Sequence, residues 1–233
     1  MLFEWIETVR LSAVNLARTL AFIELTDLDP KGKVYLPEFV RATAERYKFE
    51  RLPKREEQEK EGLIFEEGKI GTKVIRKLTL YDALIVLETR SNTSDSKQLI
   101  EEFLVWGAAK FGLNYAPGAI KRFAYVSDVT FYSDVPILSA ACQPLLDLAN
   151  KTTNALTDIW QESVPCFPAN LAVGPDPMSR KYGIASFLIT HRAEARFSEN
   201  KYFSEAPLPT DVHIAFLEEY EAGIQRLHGA IRG

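Results

Sequence analysis

The sequence has little cysteine and little histidine. Its two cysteines, Cys142 and Cys166, do not form a CxxC pair, so neither a disulfide framework nor a zinc knuckle is expected. No GxSxG motif supports a serine nucleophile, and the three histidines, His191, His213 and His228, are therefore interpreted as structural. The cysteine usage favours a reducing, cytoplasmic location.

An excess of charge of one sign and a long apolar run are also lacking. The formal net charge is -4 with both signs mixed, which does not favour a nucleic-acid or membrane partner. Charged residues interrupt positions 1–25, and no signal-peptide pattern occurs there, so neither a membrane span nor a signal peptide is expected. P-loop, GxGxxG and HExxH motifs are missing, which disfavours the common nucleotide-binding and zinc-protease classes.

The chain does have enough apolar residues for a sizeable core. Hydrophobic residues make up 46% of it, and the length suits a single domain over residues 1–233. The apolar run Ala83–Leu87 predicts a central strand covered on both faces. Capping residues follow it, and apolar residues then recur at helical spacing from Leu99 to Phe111, before Gly112. A buried strand followed by an amphipathic helix is the predicted nucleus of the core.

Shorter patterns predict the remaining elements. The charged stretch Pro53–Gly62 is interpreted as a solvated loop. Alternation of apolar and polar residues predicts strands, and three- or four-residue spacing predicts helices. The predicted elements are a short helix near residues 37–47, a hairpin over 63–80, strands over 123–131, 171–173 and 184–190, and a helix over 145–159. Together they predict an α+β fold with a mostly antiparallel sheet.

Heptad-like spacing at both ends of the chain predicts long terminal helices that cover the sheet. The N-terminal set steps by fours and threes from Leu2 to Ile23 and includes Leu16. The C-terminal set follows a helix cap at Thr210 and includes Leu217 and Ile224. Such helices either pack only on the sheet or also contact another subunit, and Leu16, Leu217 and Ile224 are the predicted contact residues.

The segment Phe197–Pro209 is predicted to be irregular and is rich in aromatic residues. Phe197, Tyr202 and Phe203 serve as interface anchors if they are exposed, or attach the last helix to the sheet if they are buried. The function that we predict is that of a non-enzymatic protein-interaction or assembly subunit, homo-oligomeric, acting through its terminal helices and this segment. A protein partner or self-association is expected, enzymatic activity is not favoured, and no cofactor is predicted.

A calcium site is one alternative. The segment from Asp27 to Glu38 resembles an EF-hand loop, with Asp27 and Asp29 at positions 1 and 3, Gly32 at position 6 and Glu38 at position 12. The resemblance implies Ca²⁺ binding by Asp27, Asp29 and Glu38, and a calcium-responsive regulator. Lys31 departs from the pattern, because it occupies position 5, where an oxygen ligand is expected.

A divalent-metal enzyme is the other alternative. Asp82 precedes the central strand and Glu88-Thr89-Arg90 ends it, an arrangement that resembles the acidic residues and acidic-x-Lys triplet of restriction-type nucleases. The resemblance implies Mg²⁺ bound by Asp82 and Glu88 in a nuclease or phosphodiesterase, with Asp128 as a further candidate. Arg90 stands where the family has lysine, and it can stabilise charge but cannot be deprotonated.

Overall fold

A computed structural model of the chain describes the backbone of residues 9–54, 62–178 and 183–231, with side chains as far as residue 227. Three of our predictions fall partly or wholly outside this range. They are the first eight residues of the N-terminal helix, most of the charged stretch Pro53–Gly62, and the role of the His228 side chain.

Eight strands form one antiparallel sheet in the described residues, with the order β2-β3-β4-β1-β5-β8-β7-β6. Together with the helices, this sheet confirms the α+β class. The predicted central strand is β4, which pairs with β1 and β3 on either side. The strands are β1 (Val9–Phe22), β2 (Leu63–Ile70), β3 (Lys73–Tyr81), β4 (Leu84–Thr89), β5 (Arg122–Ser133), β6 (Asn170–Val173), β7 (Phe187–His191) and β8 (Lys201–Ala206).

Five α-helices and one short 3-10 helix, Phe197–Glu199, are described. The predicted helix after the central strand is confirmed, and Gly112 ends it with a positive φ of 70°. The predicted C-terminal helix is also present, and it begins at Thr210, the residue predicted to cap it. The helices are α1 (Leu25–Leu28), α2 (Leu36–Tyr47), α3 (Thr93–Phe111), α4 (Gln143–Trp160) and α5 (Thr210–Ile231).

The prediction of an N-terminal helix is wrong for residues 9–22, which form strand β1. The inward positions of this strand are Ala17, Thr19 and Ala21, all with no exposed surface. These small side chains carry a weak period-two signal, whereas Leu16 and Leu20 are large and stand four residues apart. Pairing with β4, about 70 residues later in the chain, overrides that local helical pattern.

The prediction that Phe197–Pro209 is irregular is also wrong, because Lys201–Ala206 forms strand β8. Tyr202, Ser204 and Ala206 are buried at alternate positions, while the residues between them are half-buried. Strand β8 pairs with β7, with Phe203 opposite Thr190. The period-two pattern is present in the sequence, but Ser204 and Ala206 make it inconspicuous.

The chain divides into two compact units. The N-terminal unit contains Val14–Ser127 and Pro207–Thr210. Its core is one hydrophobic cluster that lies between strands β2–β4 and helices α2 and α3, with Phe65, Ile85 and Leu104 wholly buried. The C-terminal unit contains the described residues of 1–13, 128–206 and 211–233. A single domain over residues 1–233 stays a prediction.

The core of the C-terminal unit also contains ionisable side chains. Its buried apolar residues include Phe131, Ile189 and Leu217, but His213 and Glu221 are buried beside them on helix α5. Helix α4 belongs to the same unit and contributes one buried residue, Ala149. Most side chains of α4 therefore lie at the surface of the unit.

Candidate functional site

Local features of the sequence explain where helix α4 begins and where it ends. Pro144 stands in the first turn, where a missing N–H costs no intrahelical hydrogen bond. Gln161 ends the helix in the left-handed conformation, with φ of 57°, and its N–H donates to the carbonyl of Thr157. The helix is therefore a defined 18-residue element rather than a frayed segment.

One apolar stripe runs along the outside of α4. Its spacing of three and four residues places the members on one helix face, and every member is exposed. The exposed fractions are 39% for Leu145, 59% for Leu148 and 72% for Ile159. We call this surface the α4 stripe, and its residues are Leu145, Leu148, Thr152, Ala155 and Ile159.

A different side of α4 holds the helix to its own unit. The hydroxyl of Thr153 accepts a hydrogen bond from the Cys166 amide at 2.8 Å, and that of Thr157 accepts one from the Val164 amide at 3.3 Å. Ala149, the buried residue, lies between this side and the stripe. Since successive residues turn by about 100°, this side is turned well away from the α4 stripe. Attachment of the helix therefore leaves the stripe uncovered within the described unit.

A shallow groove lies beside the stripe. Leu145, Leu148 and Thr152 form one wall, the segment from Cys166 to Asn170 forms the other, and the groove has a volume of about 280 Å³. Phe167 is 43% exposed and lies in the second wall. The groove extends the apolar surface of α4 sideways.

A second cavity, of about 440 Å³, lies between α4 and the aromatic segment. Phe197 forms part of its wall and is stacked between two rings, with centroid distances of 4.5 Å to Phe167 and 3.9 Å to His191. Tyr202 also lines this cavity and is only 3% exposed. Burial raises the pKa of Tyr202 to about 12, so its phenol stays protonated at neutral pH.

The predicted interface residues lie mostly inside the fold. Leu16, Tyr202, Leu217 and Ile224 are buried, and Phe197 and Phe203 are half-buried. The apolar spacing of α4 is visible in the sequence, but the predicted contact residues lie elsewhere in the chain. The signal that could have identified α4 is that it has more apolar residues than one buried side requires.

The structure does not bring Asp82 and Glu88 together. Asp82 is exposed in the turn before β4, and Glu88 is near the other end of that strand. Four residues of strand separate Leu84 from Glu88, a length of about 13 Å. Glu88 is instead a buried partner of Arg18, whose Nε and Nη2 both lie 2.9 Å from Glu88 Oε1.

Arg90 and Asp128, the other residues of the nuclease hypothesis, do not complete a metal site. Arg90 is exposed just after β4, and Asp128 is half-buried on β5. Within the described residues, no group of three His, Cys, Asp or Glu side chains is placed to hold a metal ion. Asp82 is therefore a turn residue, and Glu88 is the ion-pair partner of Arg18.

The EF-hand-like segment runs from α1, which contains Asp27, into α2, which contains Glu38. The two carboxylate oxygens of Asp29 accept backbone N–H groups, Oδ1 from Lys33 and Oδ2 from Val34, each at 2.9 Å. Asp27 and Glu38 are exposed. Asp29 therefore stabilises the turn, and calcium binding by Asp27, Asp29 and Glu38 stays a prediction.

The pair formed by Ser204 and His213 has the composition of a catalytic dyad but not its polarity. Ser204 Oγ lies 2.8 Å from His213 Nε2 and donates to the carbonyl of Leu188 at 2.7 Å. A hydroxyl has one proton, so His213 Nε2 must be the donor to Ser204. The histidine therefore cannot accept the serine proton as a general base does, and both residues are buried.

The fold and this surface define an α+β protein with an antiparallel sheet and an outwardly apolar helix, α4. No protein-family model matches the chain, and no curated protein matches it in sequence. No helix among the described residues is long and apolar enough to cross a membrane.

Proposed function

We propose that this protein is a non-enzymatic assembly subunit that self-associates through the α4 stripe. The observation that carries the proposal is the exposure of Leu148 and Ile159, at 59% and 72%, within a five-member stripe of heptad spacing. Single exposed apolar residues are ordinary on protein surfaces, but a contiguous apolar surface is typical of an interaction site. Phe167 and the groove enlarge this surface.

Burial of the stripe supplies a driving force for association. A leucine or isoleucine side chain gains roughly 1.5–3 kcal/mol when it is fully removed from water. Part of that gain is already realised for Leu145, which is partly covered, and much of it remains for Leu148 and Ile159. The gain must exceed the entropy lost on association, so the groove around Phe167 is expected to contribute area as well.

The burial of the other predicted contact residues supports locating the interface on α4. Leu217 and Ile224 are 1% and 4% exposed, which indicates that they hold helix α5 within its own unit. A partner cannot reach such residues without opening the fold. The stripe on α4 needs no rearrangement before it can be covered.

The test compares two substitutions at equally exposed positions on different helices. Leu148 on α4 and Val105 on α3 are both 59% exposed. We expect Leu148→Glu to weaken self-association by about 2 kcal/mol or more, because it places a charge in the apolar contact. Val105→Glu should leave association unchanged. Sedimentation equilibrium gives both dissociation constants, and thermal melting checks that each variant is folded.

The proposal is overturned if the wild-type protein is monomeric at about 100 μM, a concentration at which a micromolar contact would be populated. It is also overturned if the wild type forms an oligomer and Leu148→Glu leaves its dissociation constant unchanged.

A further inference from the structure

We infer that the partner of the α4 stripe is the same helix of a second copy, in antiparallel orientation about a two-fold axis. This inference rests on the proposed function and specifies its geometry. It is carried by the order of side chains along the stripe and by the charges on one flank of it.

The heptad spacing fixes which residues flank the stripe. When Leu145, Thr152 and Ile159 are placed at the a positions, Leu148 and Ala155 fall at d. Lys151 and Asp158 then both fall at g, on the flank that is turned away from the attached side of α4. Both side chains are exposed. No hydrogen bond or ion pair joins either charged group to another side chain in the part of the chain that the structure describes.

Antiparallel pairing matches these two charges. In that orientation the g flank of one helix lies beside the g flank of the other, so Lys151 of each copy faces Asp158 of its mate. The two-fold axis produces this pair twice. In a parallel pairing, g positions face e positions, which are Ala149 and Leu156 here, and neither charge would have a partner.

The sizes of the stripe residues agree with the same orientation. A two-fold axis midway between Thr152 and Ala155 sets Leu148 opposite Ile159 of the mate and Thr152 opposite Ala155 of the mate. Leu148 thus meets Ile159 at both ends of the paired segment, and small residues meet in the middle, where the helices approach each other closely. Leu145 lies opposite position 162 of the mate, beyond the end of its α4. Lys151 is then offset by two residues, about 3 Å along the axis, from Asp158 of the mate.

Asp147 is the competing partner for Lys151, because it lies one turn earlier on the same helix. Its carboxylate accepts a hydrogen bond from Gln143 Nε2 at 2.8 Å, one turn further from Lys151. In the antiparallel arrangement, Asp147 is about nine residues, or roughly 13 Å, from Lys151 of the mate. Asp147 is also only two residues, about 3 Å along the axis, from Asp158 of the mate, so reversal of its charge would alter the contact. The control site is instead Asn150, which is exposed and falls at the f position, on the side of α4 opposite the stripe.

A charge-reversal cycle tests the inference. Lys151→Asp and Asp158→Lys each set like charges opposite one another twice in the dimer, and we expect each to raise the dissociation constant by roughly tenfold. The double variant Lys151→Asp/Asp158→Lys restores opposite charges and should return to within about threefold of wild type. The control Asn150→Lys should leave the constant unchanged, because position 150 lies on the side of α4 opposite the stripe. Sedimentation equilibrium at low salt measures all five proteins.

The outcomes separate this inference from the proposed function. If Leu148→Glu dissociates the oligomer while the charge variants have no effect, or the double variant is as weak as the single ones, antiparallel pairing is wrong and self-association through α4 stands. If the wild type is monomeric, both fail. The pairing of Lys151 with Asp158 of the mate is supported only if the double variant recovers the binding that each single variant loses.

Discussion

Helix α3 in the N-terminal unit and helix α4 in the C-terminal unit have nearly the same length and opposite burial. Of the 19 residues of α3, seven are buried, and of the 18 residues of α4, only Ala149 is. The apolar residues of α3 are used by its own unit. Those of α4 are divided between an attached side and the exposed stripe, and the exposed part is available to a partner.

The contacts of the two helices explain the difference. The Phe103 ring of α3 packs edge-on against Phe39 and also against Tyr47, with centroid distances of 6.0 Å in both cases. Helix α4 is attached to a loop by single hydrogen bonds that the hydroxyls of Thr153 and Thr157 accept from backbone amides of the loop. A helix that is held by a hydrophobic core contributes mainly to stability, whereas a helix that is held at one side leaves another face for recognition.

The largest expected effect follows from truncation of one apolar residue on each helix. Phe103→Ala removes a ring that is 3% exposed, and we expect a loss of about 3–5 kcal/mol in the free energy of unfolding. Ile159→Ala, at a position that is 72% exposed, should change it by less than about 0.5 kcal/mol in the monomer. Urea unfolding at a concentration that keeps the protein monomeric measures both. A loss above about 2 kcal/mol for Ile159→Ala would contradict the comparison, because the stripe would then be part of a core.

A smaller effect is expected from the buried polar start of α3. Ser96 Oγ donates to the Ala17 carbonyl at 3.0 Å and lies 2.9 Å from Thr89 Oγ1, with no exposed surface. Ser96→Ala leaves these groups without that partner, and we expect a loss of about 1–3 kcal/mol in unfolding free energy. Ser94→Ala is the control, since Ser94 is exposed and only its backbone N–H bonds to Asn92. Equal losses in the two variants would mean that the buried hydroxyl has no special role.

Local pattern and tertiary structure agree over the middle of the chain. The run Ala83–Leu87 and the helical spacing after it predicted β4 and α3, because a wholly apolar strand and a capped amphipathic helix have few alternatives. Gly112 adds a backbone conformation that other residues adopt at a cost. The hairpin of β2 and β3 and the C-terminal helix were predictable for similar reasons.

The wrong predictions concern elements in which the local sequence pattern and the tertiary structure disagree. In β1, the inward residues Ala17, Thr19 and Ala21 are small, so the pattern visible in the sequence comes from residues such as Leu16 and Leu20. The α4 stripe was missed for a different reason. Its residues were recognised as apolar, but the sequence did not show that they are exposed. Which of two apolar sides of a helix faces the core depends on where the chain packs, and spacing alone does not contain that information.

The smallest expected effect concerns a buried carboxyl group in the C-terminal unit. Glu221 on α5 is 1% exposed, and its Oε1 accepts hydrogen bonds from Ser133 Oγ at 2.6 Å and the Asp134 amide at 2.7 Å. Burial raises the pKa of Glu221 above its ordinary value of 4.5, and these hydrogen bonds offset the rise only in part. The folded protein therefore holds the proton more tightly than the unfolded chain does. This contribution to stability is fully present below pH 4.5 and is lost as the pH rises through the raised pKa.

We expect Glu221→Gln to remove this pH dependence, because the amide does not titrate. One such group contributes at most about 1.4 kcal/mol per pH unit, so the wild type and the variant should diverge gradually between pH 4.5 and neutrality. Urea unfolding over a series of pH values measures the difference, with Glu219→Gln, at an exposed position of the same helix, as the control. If the two variants follow the same pH profile, Glu221 is ionised in the folded protein without cost. The C-terminal unit would then tolerate a buried charge, as the N-terminal unit does where Glu88 is buried beside Arg18.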